Sequence, residues 1–113
     1  MTESMHIEYI VQTAEDLSMY LGTCLHANRF RIGVSQKLIN LYLKYLWTAG
    51  HCPEPLHCPI DGRIRDTAGI NYDWTTNDSI ADYQGAISLL KERAGKLSVA
   101  TWELTNFRRA NDR

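Results

Sequence analysis

The sequence predicts an all-α protein: a compact single domain over residues 1–113, with four to five helices around a buried central helix and a helix-hairpin-helix-like turn. Three observations carry that expectation. Apolar residues recur at helical spacing in several segments, each bounded by a capping residue, Gly or Pro. The alternation of a half-buried strand occurs only briefly near the N-terminus, around Ile7, Tyr9 and Val11, so a vestigial strand is the most it predicts. A chain of 113 residues holds one hydrophobic core, and it shows no internal repeat or low-complexity tract.

In chain order, the first helix is expected from Thr13, with Asp16 completing its cap. Its apolar face is Leu17, Tyr20, Leu21, Cys24 and Leu25, and it should close near Ala27 or Asn28. A tight turn follows at Ile32-Gly33-Val34-Ser35. The central helix then runs from about Ser35 to Thr48, and Leu38, Ile39, Leu41, Tyr42, Leu43, Tyr45, Leu46 and Trp47 cover most of its circumference. Lys37, Asn40, Lys44 and Thr48 fall on one narrow stripe, expected to be its only wet side. Gly50 ends it, and Pro53 and Pro55 forbid continuation.

Asp61 is placed to cap a short helix over Gly62 to about Thr67. Residues 68–77 read as a loop, with Tyr72 and Trp74 packed back on the body. Thr76 to Asp78 open the next helix, whose stripe is Ile80, Tyr83, Ile87 and Leu90; Gly95 closes it. The last helix starts at Ser98, with Leu97 and Trp102 at staple spacing, and ends in Arg108 and Arg109.

Composition narrows the function classes. Lys44 interrupts the longest apolar run, and MTESMHIEYIVQ lacks the basic-then-apolar plan of a signal peptide. Three cysteines without a framework spacing fit reduced thiols, so no membrane association and a cytoplasmic location are expected. The net charge is −1, but residues 29–65 hold six basic and two acidic side chains, +4 locally against −5 elsewhere. Such a patch can meet a phosphate backbone, with Arg31 and Lys44 as contacts.

A hydrophobic-Gly-hydrophobic turn ahead of a helix aims backbone N–H groups at a phosphate. Gly33-Val34-Ser35-Gln36-Lys37, followed after one helix by Pro59-Ile60-Asp61, resembles the helix-hairpin-helix DNA glycosylase superfamily, especially its oxoguanine glycosylase branch. Ser35 stands where that family's turn has its second glycine. The resemblance spans about residues 29–65. It implies duplex DNA as partner, held at Arg31, Gly33, Val34, Ser35 and Lys44, with Lys37 as amine nucleophile and Asp61 as supporting carboxylate. No cofactor is implied.

Two other readings stand beside it. His51, Cys52, His57 and Cys58, with Cys24 and His26, are zinc-type ligands, though their spacing is not that of a finger or ribbon; no metal site is expected. The competing function class is a non-catalytic protein-interaction or homo-oligomerisation module, with Trp47, Trp74 and the Pro-rich loop as contact points.

Overall fold

A computed structural model describes the backbone of residues 2–25 and 29–111, with side chains as far as residue 106. Its helices are α1 (Glu3–Leu21), α2 (Ile32–Thr48), α3 (Gly62–Ala68), α4 (Ile80–Ala94) and α5 (Val99–Asn111), with a short 3-10 turn at Gly22–Cys24. Among the described residues there is no strand, and the fold is all-α.

Helix α1 begins ten residues before the expected cap. Thr2 is the N-cap and accepts a hydrogen bond from the Met5 N–H, while Thr13 lies mid-helix. The apparent alternation of the first dozen residues is the edge of a helical stripe: His6, Ile10 and Ala14, four apart, are the buried positions. The face expected further on turns outward, since Tyr20 and Cys24 are exposed. The expected end at Ala27 or Asn28 lies outside the described residues.

Helix α2 is the main departure from expectation. It starts at Ile32, so the anticipated turn is its first helical turn. Of the expected wet stripe, Asn40 and Lys44 face inward, Lys37 is half-buried and Thr48 is exposed; the buried polar row is instead Gln36, Asn40 and Lys44, four apart, together with Ser35. Leu38, Tyr42 and Tyr45, on the opposite side, are exposed by 51%, 64% and 62%. Burial of polar groups costs free energy unless each finds a partner, and here each does. Ser35 Oγ donates to the Ile10 carbonyl at 2.8 Å, tying α2 to α1. The Gln36 amide clamps the backbone of Ile60, donating to its carbonyl at 2.7 Å and accepting from its N–H at 3.1 Å. Asn40 Nδ2 donates to Tyr83 Oη at 3.0 Å and to Gln36 Oε1 at 3.2 Å, and Asn40 Oδ1 pairs with His6 Nε2 at 2.8 Å. Lys44 Nζ meets the Glu103 carboxylate of α5 at 2.7 Å.

Around this ladder lies the apolar core of Ile10, Ile32, Cys58, Ile60, Ile64, Tyr83, Ile87, Leu90 and Val99. The later elements follow the sequence more closely. Asp61 caps α3 by accepting from the Ile64 N–H, and Gly69 ends it in the left-handed conformation at φ 67°. Ser79 caps α4. Ser98 Oγ accepts from the Thr101 N–H and its hydroxyl donates to Glu54, securing the start of α5. Tyr72 packs into the core as expected, with Trp74 against its edge. Ile80 is exposed although its spacing placed it on the α4 stripe. Beyond residue 106 the side chains expected to finish α5 lie outside the described residues.

Two substitutions separate satisfied from unsatisfied polar groups. Asn40→Ala strips partners from buried His6, Gln36 and Tyr83 at once and should cost roughly 3 kcal/mol in urea unfolding. Tyr72→Phe should be neutral or stabilising, by up to about 1 kcal/mol, because the buried Tyr72 hydroxyl has no hydrogen-bond partner among the described residues. Equal losses for the two variants would show that the ladder contributes no more than ordinary packing.

Candidate functional site

The first turn of α2 holds Gly33, Val34 and Ser35, singled out for phosphate contact, and the N–H groups of Gly33 and Ser35 are already engaged, as is that of neighbouring Ile32. The Ile32 N–H donates to Asp78 Oδ1 at 3.0 Å and the Gly33 N–H to the Asn77 carbonyl at 2.9 Å. Ser35 N–H is in the helix ladder, and Ser35 is wholly buried. Gly33 is required by close approach, because a Cβ there would collide with the Trp74 and Asn77 carbonyls. The glycine thus brings the segment 74–78 against the helix end, and Asp78 supplies the negative charge that the helix dipole favours. Val34 is half-buried in the same turn.

The basic excess of residues 29–65 is answered from outside that span. Arg29 bridges Glu15 at 3.1 Å and Asp78 at 2.9 Å, Lys44 meets Glu103, and Arg65 meets Asp66 at 3.1 Å. These acidic partners are what local charge counting omits. Arg31 Nη1 donates to the Thr75 carbonyl at 3.1 Å. Lys44, expected as a surface contact, is buried against α5. Burial pushes the Glu103 carboxyl above its ordinary range, and the Lys44 ammonium works against that shift.

Lys37 and Asp61 are engaged separately. The Lys37 ammonium sits 3.9 Å from the centroid of the Trp74 ring, a cation–π contact. Asp61 is spent on the α3 cap, and no ion pair joins the two. Schiff-base chemistry needs a lysine amine beside a supporting carboxylate; here each of the two side chains has another partner.

The His/Cys set is divided. His51 is exposed, Cys52 half-buried, and His57 and Cys58 buried; His26 lies outside the described residues. Among the described residues no group of three or more His, Cys, Asp or Glu could hold a metal ion. Burial pushes the Cys58 thiol far above its usual range, keeping it protonated and inert.

Sequence reasoning missed the relay from the surface to the ladder. Glu3 receives Lys91 Nζ at 2.6 Å and His57 Nε2 at 3.1 Å, while His57 Nδ1 lies 2.6 Å from Tyr83 Oη. Since Tyr83 Oη accepts from Asn40, it donates to Nδ1, leaving the Nε2 proton for Glu3. The relay therefore fixes the tautomer of the neutral His57 ring, with its proton on Nε2. Burial lowers its pKa to about 4; the Glu3 bond opposes this, and edge-on His6, with ring centroids 4.8 Å apart, adds to it. No signal in the sequence pairs Glu3 with His57.

The remaining feature is the outer face of α2. Tyr42, Leu38, Leu43 and Ile39 line a cleft of about 320 Å³ with Tyr9 and His6 of α1. Among the described residues no helix is long and apolar enough to cross a membrane. No protein-family model, curated protein or solved structure matches the chain.

The sign of the pH dependence follows from His57. Its folded pKa is depressed from 6.5 to about 4, so between those values the unfolded chain binds the extra proton. Its contribution is complete above pH 6.5 and is lost as pH falls towards 4, on the order of 3 kcal/mol in all. Glu103, whose folded pKa is raised, opposes this slope just above the ordinary carboxylate range. The direct check is the His57 ring signal in an NMR titration. It should stay in the neutral form from pH 8 to about pH 5, and a midpoint near 6.5 would remove the basis of the linkage.

Proposed function

We propose that this chain is a non-catalytic self-association module whose docking face is the outer side of α2, and that its occupant is a second copy of the chain. The observation that supports this is the inverted helix. Its polar residues are satisfied inside, and its large apolar residues Leu38, Tyr42 and Tyr45 are left in solvent, continuous with exposed Tyr9 and Met5 of α1. A contiguous exposed apolar face of this kind marks an interaction surface, and tyrosines supply large contact area at low entropic cost.

Charge favours a copy of itself as the occupant. Leu38, Leu41, Tyr42 and Tyr45 form an uncharged stripe, and both lysines of α2 are turned from it, Lys37 onto Trp74 and Lys44 onto Glu103. In a two-fold contact each residue near the axis meets itself or a near neighbour, so a charged stripe would repel its copy and this one does not. The competing reading, duplex DNA at residues 31–44, has less support, because the N–H groups of Ile32 and Gly33 and the Lys44 ammonium are all engaged within the chain.

Sedimentation velocity over a hundredfold range of concentration tests the proposal. Mass should rise with concentration for the native chain, and Leu38→Glu and Tyr45→Glu should each hold it at the monomer with helicity unchanged. A native chain that stays monomeric throughout would sink the reading. Salt-sensitive binding of duplex DNA, lost in Lys37→Glu, would favour the hairpin instead.

A further inference from the structure

A second groove lies on the other flank of α1, and its chemistry differs from that of the α2 stripe. It holds about 870 Å³ between the first half of α1 and the start of α4, with Met5, Glu8, Tyr9, Gln12, Ile80 and Gln84 among its walls. Its floor includes Ile7 and Val11, so the bottom is apolar and the rim polar to acidic. Helix α1 carries Glu3, Glu8, Glu15 and Asp16 and no Lys or Arg. Within the groove Glu3 is held by Lys91, whereas Glu8 is exposed and makes no hydrogen bond or ion pair among the described residues.

We infer that this groove docks a basic amphipathic α-helix of a partner protein. The stretch of α1 from Glu3 to Gln12 gives a trough roughly 14 Å long, the length of two to three helical turns. Exposed Met5 of α1 and Ile80 of α4 accept apolar anchors, methionine adapting to side chains of different shape. Glu8 at the rim meets a Lys or Arg on the flank of the incoming helix, and α1 offers no cation to repel it. Among the described residues no strand presents an edge to an extended peptide, which favours a helical ligand. The groove borders the self-association face at Met5 and Tyr9 but includes none of Leu38, Tyr42 and Tyr45.

The test uses the full chain and a fluorescent peptide of about fourteen residues containing only Leu and Lys, with Leu at i, i+3, i+4 and i+7. Two controls accompany it: a scrambled peptide of the same composition, and one with Glu for Lys. The patterned basic peptide should bind, with affinity falling as salt rises. Glu8→Lys and Met5→Lys should each weaken it by about tenfold or more. Tyr45→Glu, on the α2 stripe, should leave peptide binding intact while abolishing self-association, so failure of one proposal is distinguishable from failure of the other. Absence of binding, equal binding of the scrambled peptide, or indifference to Glu8→Lys would overturn the inference.

Discussion

The structure depends on a ladder of buried hydrogen bonds along one side of α2. Gln36 and Asn40 are wholly buried amides, and between them they bind three separate parts of the chain: His6 of α1, the extended backbone at Ile60, and Tyr83 of α4. Each donor has one oriented acceptor, so the ladder specifies a single register for α1, the 57–60 segment and α4 around α2. An apolar stripe of the same size would stabilise the assembly without that selectivity, since apolar contacts are non-directional. The same logic makes the ladder vulnerable: a half-satisfied network costs more than an apolar core.

The surface follows from the interior. A helix has a limited circumference, and once Gln36, Asn40 and Lys44 take the inner side, Leu38, Tyr42 and Tyr45 on the far side have nowhere to go but solvent. Cores are the usual place for such residues. Their exposure is therefore a consequence of where the polar ladder sits, and the proposed self-association would give the exposed stripe a use. The relay through Glu3 and His57 extends the ladder to the surface and joins the N-terminal turn of α1 to α4 through Lys91.

Much of the secondary structure was legible because it is set by local chemistry. Asp61 and Gly95 act within a few residues of themselves, and α3 begins and α4 ends where those residues put them; α4 opens behind Ser79, one residue past the expected Thr76 to Asp78. The start of α1 was missed because the apolar pattern of its first turns is thin, and the cap at Thr2 stands almost at the chain's beginning. For α2 the spacing of the polar stripe was readable and its direction was not. Periodicity fixes which residues share a face; which face turns inward depends on partners at positions 6, 57–60, 83 and 103. The acidic partners of the basic patch were hidden for the same reason. Arg29 and Lys44 are cationic by sequence, but Glu15, Asp78 and Glu103 reach them only through the fold.

The first turn of α2 shows how one local pattern can serve two physical ends. A glycine followed by a helix N-terminus suits a phosphate, since the backbone can come close and its N–H groups point outward. It suits a loop of the same protein equally well, provided that loop brings oxygen acceptors. The segment 73–78 does so: its Asp73 side chain secures the turn through Thr75, the Asn77 carbonyl takes the Gly33 N–H, and Asp78 takes the Ile32 N–H while holding Arg29. Anything binding here would have to displace a carboxylate already stabilised by a guanidinium and a helix dipole, and Arg29 together with the Ile32 N–H holds the Asp78 carboxyl below its ordinary range. What separates the two uses of the turn is the source of the acceptor oxygens, and in this structure the chain supplies its own.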